Sequence, residues 1–284
     1  MEKIKIAVLS GKGGTGKTFI AVNLAAIKDD IHYLDCDVEE PNGNLFFQVP
    51  VISKEVVNVS IPVIDQTQCN GCRICSDFCA YHALIYMLDR IIVLDNLCHS
   101  CNGCAVLCPQ KAITFKQKPI GEIEEGWLNG KLISTGRLDP SYPTGIPILK
   151  KMFAASIQQT QILDCPPGAS CAVIECVKQA DFCLVVAEDS LFGFHNFKMV
   201  QELINQFDKP YAVIINKKTN ESLIEPYCLE GKIPVLDSIL FDYRIAKLLS
   251  EGKILVHEDK AYRDLFISYL KKIEEIYYET TSRS

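Results

Sequence analysis

The segment Leu9–Phe19, LSGKGGTGKTF, determines the fold that we expect for this chain. It fits the pattern G-x-x-x-x-G-K-[ST] through Gly11, Gly16, Lys17 and Thr18. The apolar run KIKIAVL before it predicts a buried strand, and GKTFIAVNLAAIK after it has the apolar spacing of a helix. A glycine loop between a strand and a helix is the context in which this pattern binds phosphate.

The residue types of this loop suit a nucleotide that carries magnesium. Glycines allow backbone amides to close around phosphate oxygens, and the start of a helix adds positive potential. Lys17 should reach the β- and γ-phosphates, and the Thr18 hydroxyl should bind magnesium. The residues expected around the phosphates are Gly11, Gly13, Gly14, Thr15, Gly16, Lys17 and Thr18.

Three aspartates at predicted strand ends are candidates for magnesium and water. Asp164 ends the apolar run QILD, which suits the Walker-B position, while Asp35 and Asp37 close the run IHYLDCD. Alternate residues of a strand point to opposite faces, but a strand end can turn both toward one site. We therefore expect Thr18, Asp35 and Asp164 to be the magnesium residues. A plain polar strand end is the alternative for either of the paired aspartates alone.

Asn216 follows the apolar run AVII and begins the segment NKKT. GTP-binding proteins carry a guanine-reading aspartate at the position of Thr219, so we favour ATP, with Asn216 touching the adenine. An asparagine that caps a turn at the strand end is the competing interpretation.

Apolar strands alternate with helical segments along most of the chain. This order predicts an α/β fold, a mostly parallel P-loop NTPase sheet with helices on both faces. The composition changes between about residues 62 and 116, where eight cysteines lie close together. We therefore predict a discontinuous ATPase domain, residues 1–61 and 117–284, and a small α+β ferredoxin-like insert, residues 62–116.

The cysteines of the insert form two runs with the spacing C-x2-C-x2-C-x3-C, and a proline follows the second run. This is the spacing of bacterial two-cluster ferredoxins, in which the fourth cysteine of each run binds the other 4Fe–4S cluster. Zinc prefers paired C-x2-C knuckles and fits these runs poorly, and disulfides are rare in reducing compartments. The expected ligand sets are Cys69, Cys72, Cys75 and Cys108 for cluster 1, and Cys79, Cys98, Cys101 and Cys104 for cluster 2.

Bulk composition narrows the classes of partner. The chain has 284 residues and a net charge of -6, which argues against a general nucleic-acid binder. The apolar runs are too short to cross a bilayer, and none has the form of a signal peptide. We therefore expect a cytoplasmic protein without a membrane or nucleic-acid partner.

Three motifs, GKGGTGKT, LDCDVEEPN and LDCPPG, together resemble the MinD/ParA/Mrp class of deviant Walker-A ATPases. With the insert, the chain resembles MinD-superfamily ATPases that contain a ferredoxin domain. The resemblance implies an ATP-dependent homodimer in which Lys12 crosses to the partner's nucleotide and Asp37 positions the attacking water. It thus makes Lys12, Lys17 and Asp37 the catalytic candidates. A solvated loop lysine is the alternative for Lys12.

Three functions are compatible with these motifs. The first is an ATPase that couples ATP binding and hydrolysis to electron transfer with an unidentified redox partner protein. The second is an iron–sulfur cluster carrier, although such relatives use a C-x-x-C at the dimer contact and this sequence has none outside the insert. The third is a MinD-like positioning ATPase, for which the apolar stripe of the last predicted helix would face a membrane rather than the core.

Overall fold

The computed structural model describes residues 3–155, 158–218 and 222–282. Nine strands form one mixed sheet in the order β11-β10-β9-β1-β8-β2-β7-β6-β3, and two more form a separate hairpin. The strands of the large sheet are β1 Lys5–Leu9, β2 Ile31–Asp35, β3 Ser53–Ile64, β6 Ile113–Leu128, β7 Lys131–Leu138, β8 Thr160–Asp164, β9 Phe182–Glu188, β10 Tyr211–Lys218 and β11 Val235–Leu240. The hairpin strands are β4 Leu84–Met87 and β5 Arg90–Val93.

Helices cover both faces of the large sheet, as the sequence predicts. The helices of the described residues are α1 Lys17–Ala26, α2 Asn44–Phe47, α3 Ile74–Phe78, α4 Gly103–Val106, α5 Ile146–Ala154, α6 Cys171–Gln179, α7 Leu191–Asn205, α8 Ile224–Glu230, α9 Tyr243–Ser250, α10 Leu255–Glu258 and α11 Lys260–Thr281. Of these, α3 and α4 belong to the cysteine-rich segment and not to the layers on the large sheet. Successive side chains of a strand point to opposite faces of the sheet, so one strand contributes side chains to the hydrophobic cores on both faces. In β1, Ile6 packs with the core of α1 and α11, and Ala7 packs with the core of α5 to α8.

The apolar stripe of α11 faces the protein core. Phe266, Tyr269, Leu270 and Ile273 are buried in the core shared with α1, and Phe266 makes an edge contact with Phe19. Burial of such side chains stabilises the fold by roughly 1.5–3 kcal/mol each. Among the described residues, no helix has both the length and the apolar character needed to cross a bilayer.

The sheet contains an antiparallel extension that we did not predict. Six strands from β11 to β2 run parallel and β7 joins them in parallel, but β6 pairs antiparallel with β7, and β3 pairs antiparallel with β6. The sheet is therefore mostly parallel, as predicted, with an antiparallel edge. The cysteine-rich segment leaves this edge where Ile64 and Ile113 pair as the last residues of the hairpin.

The cysteine-rich segment consists of two similar halves. One half contains α3 and the other α4, and the small hairpin of β4 and β5 lies between them. Arg73 and Asn102 both follow the second cysteine of their run, and both have a left-handed backbone, with φ of 65° and 60°. The paired strands β3 and β6 extend a few residues into the predicted insert, so the boundaries at 62 and 116 stay a prediction.

Candidate functional site

The phosphate-binding loop joins β1 to α1, with Gly16 directly before the helix. Gly16 has a φ of 96°, and a Cβ there would lie 2.2 Å from the side-chain nitrogen of Asn216. Glycine satisfies both constraints because it has no Cβ. The Thr15 hydroxyl is buried and has no hydrogen-bond partner within the described part of the chain. A buried hydroxyl without a hydrogen-bond partner destabilises the fold by about 1–3 kcal/mol. Such an unpaired group is typical of a site in which a bound ligand supplies the missing hydrogen bond.

Lys17 forms a buried ion pair directly beneath this loop. Its Nζ lies 2.5 Å from Oδ1 of Asp164, and the Tyr33 hydroxyl donates to Oδ2 of the same carboxylate at 2.8 Å. Burial lowers the pKa of Lys17, but the charge of Asp164, the hydrogen bond to it and the smaller effects of Cys165 and Asp37 together outweigh burial, so the net pKa is raised and the lysine stays charged. The lysine expected on the phosphates is thus held by the aspartate expected on magnesium.

Asp35 lies beside Asp164 at the carboxyl ends of adjacent strands. The two aspartates are register partners in β2 and β8, and Asp35 accepts hydrogen bonds from the backbone amides of Gly43 at 2.8 Å and Asn42 at 3.0 Å. Burial and then the charge of Asp164 raise the pKa of Asp35 to about 7. This carboxyl therefore changes charge near neutral pH.

Asp37 follows Asp35 after one residue and lies on the more open side of the site. Its backbone amide donates to Oδ1 of Asp35 at 3.3 Å, and burial raises the pKa of its carboxyl. The charge of Lys17 acts to lower the pKa of both Asp35 and Asp37, so both carboxyls lie near this one lysine. Within the described ranges, no three His, Cys, Asp or Glu side chains are placed to hold a metal ion together. The magnesium role of Thr18, Asp35 and Asp164 stays a prediction.

Lys12 is engaged by an acidic residue that the sequence analysis missed. Its Nζ lies 2.6 Å from Oε1 of Glu188 at the end of β9, and Lys217 binds the other carboxylate oxygen at 3.2 Å. Lys217 also donates to the backbone oxygen of Gly14 at 2.7 Å. Burial raises the pKa of Glu188, but the bonds from the two lysines outweigh it, so the net pKa is lowered. Within this chain, Lys12 is therefore paired rather than solvated.

Asn216 makes a hydrogen bond to the phosphate-binding loop. It is buried, and its side-chain nitrogen donates to the backbone oxygen of Thr15 at 2.7 Å. The sequence did not predict this contact between the phosphate-binding loop and Asn216. Its contact with a nucleotide base stays a prediction, and Thr219 lies outside the described residues.

The eight cysteines of the insert line two cavities. The first has a volume of about 210 Å³ and is otherwise mostly apolar, and its cysteines are Cys79, Cys98, Cys101 and Cys104. The second is smaller, about 10 Å³, and its cysteines are Cys69, Cys72, Cys75 and Cys108. Each cavity thus combines three cysteines of one run with the fourth of the other, as in the crossed ferredoxin pairing.

Backbone amides already point at two of these sulfurs. The amide of Ala83 donates to Cys79 Sγ at 3.3 Å, and that of Ser100 donates to Cys98 Sγ at 3.4 Å. Hydrogen bonds to ligand sulfurs tune the potential of an iron–sulfur cluster. A 4Fe–4S cluster takes one thiolate at each iron, so its ligands surround a cage instead of one ion. The four cysteines of the first cavity and the amides on two of their sulfurs fit such a group, and the second cavity supplies four cysteines in the same crossed arrangement.

Comparison with known proteins places the chain among nucleotide-binding proteins. Residues 6–256 match the family model described as the CobQ/CobB/MinD/ParA nucleotide binding domain. An uncharacterized protein of Methanocaldococcus jannaschii is 28% identical over 285 residues, covering 96% of this chain and 97% of the relative. The MinD protein of Pyrococcus horikoshii, solved with Mg-ADP, superposes with a TM-score of 0.57 at 14% identity over 94% of each chain.

Two shorter matches concern iron–sulfur proteins. An uncharacterized ferredoxin of M. jannaschii is 36% identical over 58 residues, which cover 19% of this chain and 75% of that protein. An iron–sulfur cluster carrier protein of Pyrococcus furiosus is 54% identical over 51 residues, only 16% of this chain and 17% of the carrier. They support the ferredoxin-like insert, and the family model confirms the resemblance seen in the motifs. The chain therefore belongs to the CobQ/CobB/MinD/ParA nucleotide-binding family.

Proposed function

We propose that this protein is a homodimeric ATPase that carries two 4Fe–4S clusters and uses its nucleotide state to control electron transfer to a redox partner protein. The observation that carries the proposal is that one chain combines two kinds of site. The phosphate-binding motif contains Lys12 and Lys17 and lies against Asp164, and two cavities are each lined by four cysteines in the crossed pattern.

The chain's own residues suit phosphoryl transfer to water. Loop amides and Lys17 would hold the phosphates of ATP, and Lys17 would exchange its Asp164 partner for them. Thr18, Asp35 and Asp164 would hold magnesium, which neutralises phosphate charge when bound. Asp37 would orient the attacking water, because it lies on the open side of the buried pair and has a raised pKa.

Lys12 would make hydrolysis depend on the dimer. In this chain it is bound to Glu188, so it must leave that carboxylate to reach the nucleotide of the partner subunit. A lysine that arrives from a second subunit stabilises the negative charge of the transferring phosphoryl group, as an arginine finger does. Hydrolysis would then proceed only in the closed dimer.

The clusters would supply one-electron transfer at low potential. Cys69, Cys72, Cys75 and Cys108 would hold cluster 1, and the remaining set would hold cluster 2. Because ATP and its products differ at the γ-phosphate, closure of the dimer can present the insert to a partner in one nucleotide state only.

The runner-up function is an iron–sulfur cluster carrier, which the short match to the carrier of P. furiosus favours. The absence of a C-x-x-C outside the insert argues against it. Membrane positioning has less support, because the stripe of α11 is covered by the core.

The test begins with anaerobic purification. We expect about eight irons and about eight sulfides per chain, the content of two 4Fe–4S clusters. ATP hydrolysis should fall at least about tenfold in Lys12→Ala and stay unchanged in Lys150→Ala, which removes an exposed lysine of α5. Unchanged hydrolysis in Lys12→Ala would refute the role of Lys12 in the partner's site.

A separate assay tests whether the nucleotide state controls electron transfer. Dithionite-reduced protein should transfer electrons to a viologen dye at a rate that differs between ATP and ADP. Equal rates would refute the coupling. Rapid loss of both clusters to an apo-ferredoxin would favour the carrier function instead.

A further inference from the structure

A large cavity lies beside Asp37 of the nucleotide site. Its volume is about 570 Å³, and three segments line it. The first follows β2 and contains Asp37 and Val38, the second follows β7 and contains Tyr142, and the third follows β8 and contains Pro166. The first and third segments begin at the aspartates of the nucleotide site, so a change there reaches the cavity wall directly.

The segment after β7 packs closely on Val38. The backbone amide of Leu138 donates to the Val38 oxygen at 2.8 Å, and a Cβ at Gly145 would lie 2.1 Å from a methyl group of Val38. The turn between them is stiffened by hydrogen bonds from Ser141 and Tyr142 to Asp139. Val38 therefore cannot move without moving this turn, since close-packed contacts transmit displacement.

Tyr142 connects the same turn to cluster 2. It is 4% exposed, and its hydroxyl donates to the backbone oxygen of Cys98 at 2.6 Å and lies 3.4 Å from the Ser100 hydroxyl. Cys98 in turn accepts the amide of Ser100 at its sulfur. One phenol thus fixes the loop that presents a ligand of cluster 2.

The two cysteine sets differ in their connection to the ATPase core. Cys98 belongs to the hydrophobic core that contains Val38 and Tyr142, and Cys79 packs against it. The buried cysteine of the other set, Cys75, belongs to a small separate core with Leu84, and this core also contains Cys104 of the cluster 2 set. None of the four cysteines of cluster 1 belongs to the ATPase core.

We propose that cluster 2 is the cluster that responds to the nucleotide, and that Tyr142 is the positioning residue that couples it to the Asp37–Val38 segment. This inference rests on the proposed function and deepens it. Displacement of Val38 by the γ-phosphate moves the turn and breaks the bond from Tyr142 to Cys98.

The sign of the effect follows from the direction of that bond. A hydroxyl that donates toward the cluster loop places positive charge near the cluster and stabilises its reduced, more negative state. Loss of the bond therefore lowers the reduction potential of cluster 2. Because coupling between sites is reciprocal, oxidised protein binds ATP more tightly than reduced protein by the same factor. We expect about tenfold, toward the lower end of usual couplings, which is about 59 mV for one electron.

The test is a redox titration followed by electron paramagnetic resonance, with and without a non-hydrolysable ATP analogue. The exposed ligands Cys72 and Cys101 allow the two signals to be assigned, since serine at either position alters one cluster only. In the wild type, the analogue should lower the potential of cluster 2 and leave that of cluster 1 unchanged. In Tyr142→Phe, cluster 2 should already have the lower potential without nucleotide and should not shift further.

Tyr86→Phe is the matched control. Tyr86 lies beside cluster 1, where its hydroxyl donates to Asp89 at 2.8 Å and its ring covers Arg73. This variant should keep the full nucleotide response of cluster 2. A second readout is the affinity for the analogue, which should differ about tenfold between oxidised and reduced wild type and less than about twofold in Tyr142→Phe.

The outcomes separate this inference from the proposed function. A nucleotide shift that persists in Tyr142→Phe, or that appears at cluster 1, overturns the role of Tyr142 while leaving the coupled ATPase intact. If the wild type shows no shift at either cluster and equal affinities in both redox states, the proposed coupling itself fails.

Discussion

The ion pair of Lys12 and Glu188 provides a quantitative test of dimer formation. If Lys12 leaves Glu188 to reach the partner's nucleotide, Glu188→Gln should tighten the dimer, because less energy is then needed to free the lysine. The two side chains are 23% and 19% exposed, so the pair is only partly screened by solvent. A charge-assisted hydrogen bond contributes roughly 1 kcal/mol more than one to a neutral amide.

A symmetric dimer frees two such lysines, so the gain is about 2 kcal/mol, or about 30-fold in the dimer dissociation constant. Sedimentation velocity at a saturating concentration of a non-hydrolysable ATP analogue measures this constant, and saturation removes any change in nucleotide affinity. Glu225→Gln is the matched control, because Glu225 binds Lys218 at the same 2.6 Å distance and lies away from the loop. A dimer constant for Glu188→Gln that equals the control would falsify the release of Lys12.

Three further predictions concern the loop, the buried carboxyl and the clusters. Gly16→Ala should weaken nucleotide binding at least about tenfold by calorimetry, because the left-handed backbone costs about 1–2 kcal/mol and the new methyl meets Asn216. The folded protein keeps the Asp35 proton up to about pH 7, whereas the unfolded chain releases it near 3.8. The contribution of Asp35 to stability is therefore lost as pH rises from about 4 to 7, and urea unfolding of Asp35→Asn should lack this loss. Cys72→Ala should halve the iron content, and Cys171→Ala, at another exposed cysteine, should leave it unchanged.

The parallel part of the fold could be predicted because its strands are buried on both faces. β1, β8, β9 and β10 are short continuous apolar runs, a pattern that parallel strands require. The antiparallel edge was not predicted, because its strands lack this continuous burial. β6 is largely exposed or half-buried and carries five charged residues, so it gives no clear apolar period. β3 begins with exposed residues, and only the alternation of Val57, Val59 and Ile61 with polar residues was an available strand signal.

The residues of the candidate site also fall into two groups, those that belong to a local motif and those that do not. The loop, the aspartates and the cysteines belong to local motifs with fixed spacing, and the sequence predicts them. Tyr33, Glu188 and Tyr142 have no such motif, because their partners lie more than forty residues away in sequence. The rule that parallel strands bring their carboxyl ends to one edge was the available signal for Glu188.

The pairing of Ile64 with Ile113 has a consequence for how such a chain can be assembled. The insert enters and leaves at two adjacent residues of an antiparallel hairpin, so its ends are already as close as those of a β-turn. A short Asn-Gly turn between these isoleucines would close the same hairpin without changing its register. The cysteine-rich segment can thus be gained or lost in one genetic step while the pairing of β3 with β6 is kept.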